Sequence, residues 1–179
     1  MQKKLQQLLN ERKIHANITA GLGSVFVALV DHVLKKDGRL ALVLPRSLLS
    51  GIAWKETRDL LSSKYSVEYV VVSHEPDHWN FSENTDLRET LVVAKRSNIH
   101  DDDHTVFINL WRRPRNTIES LTCSNLILCA TPARLDRISG TSELVCGQVK
   151  YGEVISSSTR IWSRVCAFAQ TDLNRVAYY

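Results

Sequence analysis

The sequence predicts an α/β fold of three layers, with helices over both faces of a sheet. Three observations carry this. Short continuous apolar runs (RLALVL over 39–44, VEYVVVS over 67–73, ETLVVAK over 89–95) have the composition of strands buried on both faces. Amphipathic helical stretches precede the first run and separate it from the second, which is the alternation of an α/β layer structure. Of the 179 residues, 44% are hydrophobic, enough to build a core and too many for a disordered tail.

The elements follow in order. Residues 2–13 have helix-forming composition, with Leu5, Leu8 and Leu9 on one face. Asn17 to Gly23 is a break. From Ser24 to Lys36, Val25, Leu29 and Val33 alternate with Phe26, Val30 and Leu34 at i, i+4 spacing, which predicts an amphipathic helix with Ser24 as its N-cap and Gly38 as its stop. The strand RLALVL closes at Pro45. A helix over Trp54–Lys64 turns Leu60 and Leu61 inward, and the strands 67–73, 89–95 and 105–111 follow. Beyond Pro114 the signals weaken: Leu121–Ala130 reads as a strand or a buried helix, and Asp172–Tyr179 as a helix. The domain boundaries expected are a helix and linker over 1–20, the α/β unit over 21–113, and an α+β C-terminal extension over 114–179.

Charge is distributed unevenly. The formal net charge is +4, but residues 1–50 carry 8 basic against 3 acidic groups, 51–104 carry 6 against 11, and 105–179 carry 9 against 5. The last stretch holds Arg112, Arg113 and Arg115, a cluster compatible with a nucleic-acid backbone and equally with a solvated surface. Cys123, Cys129, Cys146 and Cys166 lack the paired short spacings of a zinc site and read as buried reduced thiols. No apolar run approaches the ~20 residues that span a bilayer, and the opening MQKKLQQLLNERK lacks a signal peptide's apolar stretch, so no membrane partner and a cytoplasmic location are expected.

Several motifs match in letters only. His74-Glu-Pro-Asp-His78 has the zinc-protease spacing, but that chemistry needs a helix, and here the letters follow a strand and contain a proline. His100-Asp-Asp-Asp-His104 reads as a solvated turn. Gly21-Leu-Gly23 precedes a helix but follows no strand, so it fails as a dinucleotide turn. Ser47 and Ser50 lack a base to activate them. The connection between Ser73 and Glu89 is different. It is longer than a compact domain needs, and it places two large aromatics, Trp79 and Phe81, among polar residues.

Residues 20–96 carry a resemblance. The helix before the Gly38 turn, the strand ending in Val43-Leu44-Pro45, the helix with Thr57-Arg58-Asp59-Leu60-Leu61, and Asn80-Phe-Ser-Glu-Asn-Thr85 leading into LVVAKR stand in the order found in one family. Together they resemble the carboxyl half of the catalytic domain of adenine N6 DNA methyltransferases of restriction–modification systems. The resemblance implies a partial Rossmann-like sheet in which LVVAK lies antiparallel between RLALVL and VEYVVVS. It also implies S-adenosylmethionine as cofactor of the complete enzyme and DNA as partner, with the target adenine flipped out of the duplex. Phe81 first, then Trp79, would offer the flipped base a stacking face worth ~1–3 kcal/mol; packing of both rings on the domain's own core is the equal alternative.

The family also places a glycine-rich turn after its first strand and an Asn/Asp-Pro-Pro-aromatic motif after its fourth. The chain's four prolines, at 45, 76, 114 and 132, include no Pro-Pro, and no strand-then-glycine motif precedes residue 20. The resemblance therefore implies a fragment with no catalytic residue and no bound cofactor of its own, inactive alone. Its RLALVL strand would have a bare edge, which would pair with a missing amino-terminal half, a partner subunit or a second copy. The other reading is a non-catalytic module that binds DNA or a subunit through residues 105–179.

Overall fold

The structure is a computed structural model that describes residues 2–73, 89–97, 103–111, 114–129, 142–159 and Trp162. Among the described residues the strands are β1 (Arg39–Pro45), β2 (Tyr65–Ser73), β3 (Glu89–Arg96), β4 (His104–Leu110), β5 (Ser142–Cys146) and β6 (Val149–Ser158). They form one sheet in the order β1-β3-β2-β4-β6-β5. The helices are α1 (Gln2–Glu11), α2 (Leu22–Val33), α3 (Lys55–Lys64) and α4 (Thr117–Cys129).

β3 runs antiparallel to both β1 and β2, as the resemblance implies, with Leu42 opposite Val92 on one side and Val92 opposite Val70 on the other. Its alternate residues Thr90, Val92 and Ala94 are fully buried. β2 then pairs in parallel with β4, and β4 continues through antiparallel β6 to β5. The sheet is therefore mixed and open, with β1 at one edge and β5 at the other.

Helices cover both faces. On one, Leu40, Leu44, Val67, Val70, Val72 and Val92 meet Val27 of α2, Leu61 of α3, Leu48 and Trp54. Trp162 is completely buried in the same cluster and donates its indole N–H to Ser62 Oγ at 2.8 Å. On the other face, Cys123, Leu126 and Ile127 of α4 pack on Val106, Ile108, Leu110, Tyr151 and Val154. Each fully buried aliphatic or aromatic side chain contributes about 1.5–3 kcal/mol.

α1 ends in a Schellman motif. Lys13 adopts φ 56°, its N–H donates to Asn10 O at 3.0 Å, and the Ile14 N–H donates to Leu9 O at 2.9 Å. The accompanying contact between Leu9 and Ile14 anchors a small cluster with Val25 and Ala28 of α2.

Several expectations are corrected. The second helix starts at Leu22 and ends at Val33, because Gly21 at φ 90° turns the chain before it. Ser24 therefore lies inside the first turn, and its hydroxyl donates to Asn17 O at 2.6 Å and Gly21 O at 2.9 Å instead of capping. The two apolar rows of α2 are divided between neighbours and solvent. The sheet takes Val27 and α1 takes Val25 and Ala28, which leaves Phe26, Leu29 and Val33 exposed. Leu8 of α1 also faces outward. Leu121–Ala130 resolves as helix, continuing α4 from Thr117 to Cys129. Cys123 is buried as expected, but Cys146 is exposed beside the β5–β6 turn. That hairpin lies where sequence signals were weakest, and its strands extend the sheet that begins at β1. The helix expected over Asp172–Tyr179 lies outside the described residues.

Two predictions follow from this packing. A Cβ on Gly152 would stand 2.1 Å from the backbone oxygen of Asn109, its register neighbour's strand mate across β4 and β6. Backbone cannot yield as a side chain can, so Gly152→Ala should lower stability by about 2 kcal/mol or more in a urea melt. An unchanged midpoint would show that the strands approach less closely.

Burial pushes up the ionisation of Tyr65, further raised by the Asp31 carboxylate it donates to at 3.0 Å, and also that of Tyr69 and Cys123. The ordinary values are 10.0 for the phenols and 9.0 for the thiol. Below 9 both folded and unfolded chains keep these protons. Above it the unfolded chain loses them first, so stability falls as pH rises towards the folded values. Thermal melts between pH 7 and 11 should show a flat region and then an alkaline decline, whose onset is unmoved in Tyr65→Phe but whose fall above pH 10.0 is shallower.

Candidate functional site

β1 and β2 both oppose β3, and β2 parallels β4, so the carboxyl ends of β1, β2 and β4 share one end of the sheet. Open α/β sheets bind ligands at this end. Pro45 is paired there with Glu89, and Ser73 with Leu110. The 74–88 connection thus leaves from Ser73 and re-enters at Glu89, with both of its anchors at this end. Trp79 and Phe81 themselves lie outside the described residues, as do the His74–His78 letters, Arg112 and Arg113.

After β1 the chain makes two short 3-10 turns, Arg46–Leu49 and Ile52–Trp54, before entering α3. Arg46 is buried, as are Leu48, Leu49 and Trp54. Arg58 of α3 holds the connection by donating from Nη1 to Leu48 O at 2.7 Å and Gly51 O at 2.9 Å. The first turn of α2 packs here too. A Cβ on Gly23 would lie 2.9 Å from Trp54 Cη2 and 3.6 Å from Pro45 Cδ. The Gly21-Leu-Gly23 pair is thereby explained by packing: Gly21 supplies the positive φ, and Gly23 admits the Trp54 ring.

Arg115 is exposed on the connection from β4 to α4. Its backbone N–H donates to Glu119 Oε2 at 2.7 Å while the Glu119 N–H donates to Asn116 Oδ1 at 2.9 Å, a reciprocal cap on α4. Its guanidinium pairs with no described residue.

The sequence reading missed Asn109 and Glu153. Asn109 sits one residue before the end of β4, buried, and donates from Nδ2 to Glu153 Oε1 at 2.9 Å. Its Oδ1 is buried and has no hydrogen-bond partner among the described residues. An asparagine inside the apolar run TVFINLW was the available signal, since a buried carboxamide needs a reason to be there. Among the described residues no group of three or more His, Cys, Asp or Glu could hold a metal ion. The only described members of the 100–104 run, Asp103 and His104, lead into β4 at the opposite end of that strand. The described groups at the carboxyl end are donors, acceptors and cations without a nucleophile–base pair, suited to holding a ligand.

No protein-family model and no curated protein matches this sequence. Solved structures do match. One, described as a modification subunit of a type I restriction enzyme from Vibrio vulnificus YJ016, superposes with a TM-score of 0.51 at 17% identity, over 75% of this chain and 27% of that one. Another, from work on complex assembly and conformational transition of the type I R-M system, has a TM-score of 0.50 at 15% identity, over 86% of this chain and 30% of that one. What is shared is the fold. The chain spans less than a third of the length of either structure.

If Arg58 positions this end as described, Arg58→Ala should destabilise the chain by about 2 kcal/mol, because it strands two part-buried carbonyls that accepted charge-assisted bonds. Arg58→Lys should recover part of the loss. A urea midpoint unmoved in both variants would remove the role.

Proposed function

We propose that this chain is part of the catalytic domain of a restriction–modification DNA methyltransferase, the part that lies beyond the methyl-donor pocket, and that it is inactive by itself. The observation that carries this reading is the strand arrangement β1-β3-β2, with β3 reversed and β1 left as an edge. The fold likeness to type I modification subunits supports it. Adenine N6 as the methylated atom rests on the Asn80–Thr85 stretch and its lead into β3.

On this reading the carboxyl end of the sheet faces DNA. The 74–88 connection supplies Phe81 and Trp79 to the extruded base, where stacking offsets the few kcal/mol of flipping. Arg112, Arg113 and Arg115, at the neighbouring exit of β4, hold the phosphate backbone and set position without reading sequence. S-adenosylmethionine, which supplies the methyl group to the complete enzyme, is held by other polypeptide. In its support, the glycines of the one Gly-x-Gly run are used by a helix junction, and β1 leads into Pro45-Arg46 where a cofactor turn would need glycine. That other polypeptide, or a second copy, pairs with β1, whose outer edge has no strand beside it among the described residues and whose Ala41 and Val43 are exposed. Among the described residues no helix is long and apolar enough to cross a membrane, in keeping with a cytoplasmic enzyme of DNA.

Calorimetry tests the division of labour: S-adenosylmethionine should give no binding heat with the isolated chain up to millimolar concentration. A micromolar dissociation constant would overturn it. Sedimentation at micromolar concentration should show self-association or capture of an amino-terminal methyltransferase half, and a clean monomer unmoved by that half would count against the role given to β1.

A further inference from the structure

At the end of the sheet away from this candidate site, a cleft of about 280 Å³ opens between the α1–α2 connection, α2, the last turn of α3 and the end of β3. Among the described residues, Lys13, His15, His32, Lys64 and Arg96 face it, with Asp31 as the one carboxylate. Asp31 is satisfied from within. Its carboxylate accepts from Lys64 Nζ at 2.8 Å and from the Tyr65 hydroxyl at 3.0 Å, and lies 3.8 Å from Arg96 Nη2. Arg96 also covers the carboxyl end of α2, donating from Nη1 to the carbonyl oxygens of Asp31 and Leu34. The negative end of the helix dipole, which would repel an anion, is therefore screened.

What remains is a concave surface with three fixed cations against one carboxylate, and two imidazoles besides. Lys13, His15 and His32 make no side-chain hydrogen bond or ion pair with any described residue. A concave, one-signed surface focuses potential on an anion. The backbone adds a second observation. Lys13 occupies the left-handed C′ position of the α1 Schellman motif, where glycine or asparagine is the favoured residue and a lysine is strained. The same position sets the Lys13 ammonium at the rim of this cleft, and at the carboxyl end of α1, where the helix dipole favours a cation.

We propose that this cleft binds a phosphate group, with Lys13, His15 and His32 donating to its oxygens and Lys64 and Arg96 supplying field from behind Asp31. The surplus of two fixed positive charges matches a phosphate monoester or two adjacent phosphodiesters. The site is independent of the methyltransferase reading, because none of its residues lies at the carboxyl end of the sheet.

The experiment is an NMR titration of the histidine rings in the whole chain, with His15→Gln and His32→Gln used to assign their signals. The probes are inorganic phosphate, sodium chloride at matched ionic strength, and a short DNA duplex. Phosphate should move both rings saturably and chloride should not. Lys13→Gly should weaken phosphate affinity by about five- to tenfold, the loss of one charged contact, while leaving the thermal midpoint unchanged or raised, so that misfolding cannot explain the loss. A duplex that moves the same rings and competes with phosphate identifies a nucleic-acid backbone as the source. Phosphate binding without competition identifies a free phosphate ester. Rings that respond to neither probe beyond the chloride control, or an affinity unchanged in Lys13→Gly, would overturn the site.

Discussion

The reversal of β3 is the constraint on which the remaining architecture depends. Because β3 runs against both neighbours, β1 and β2 point the same way although they are not bonded to each other. That sends their carboxyl ends, and the carboxyl end of parallel β4, to one side. The strand is held hard: Thr90, Val92 and Ala94 have no exposed surface, and the Thr90 hydroxyl donates to Val71 O at 3.1 Å. A slip of one residue would turn these side chains to the opposite face and leave Leu91, Val93 and Lys95 to fill the core. Lysine cannot do so, which fixes the register from within the strand itself.

A second consequence concerns the two faces. α2 and α3 cover β1, β3 and β2 on one side, while α4 covers β4, β6 and β5 on the other. The cover is offset, so the second face of β1 is open at Ala41 and Val43, beside the strand's unpaired edge. An apolar strand exposed at edge and face together is a liability for a free-standing chain. On the proposed reading, this edge and face are where the additional strand and layer of the complete enzyme would lie.

The strands and helices up to residue 111 were legible because each obeys one period cleanly. RLALVL, VEYVVVS and ETLVVAK are apolar runs with turn residues at their ends, and α3 has Leu61 where a helix needs it. The ends were less legible: Gly21 starts α2 earlier than Ser24 would, through a positive φ that periodicity cannot express. α4 was ambiguous because its apolar residues surround the helix, and Ile118 and Leu121 are exposed while Cys123 is buried. The β5–β6 hairpin was missed although Cys146-Gly-Gln-Val149 carries a two-residue turn signal, with Gly147 at φ 60°. Of the candidate site, the end of the sheet was legible from Pro45 and the 74–88 connection. The Asn109–Glu153 contact was not, because it joins β4 to β6 across 44 residues and requires the register to be known.

The two ends of the sheet carry different kinds of polar group, and the difference follows from chain direction. At the carboxyl end, β1 leads into two short 3-10 turns and β2 into the 74–88 connection. At the other end, the chain is held tightly by Asp37 N–H to Arg96 O at 2.9 Å and Arg96 N–H to Gly38 O at 2.8 Å. Polar groups at that end are carried by helix termini and strand ends, which cannot move independently. The Asp31 carboxylate ties α2 to Lys64 of α3 and to Tyr65 and Arg96 of the sheet. A basic cleft built around such a tie is preorganised, and an anion bound in it would brace the packing of α2 and α3 on the sheet.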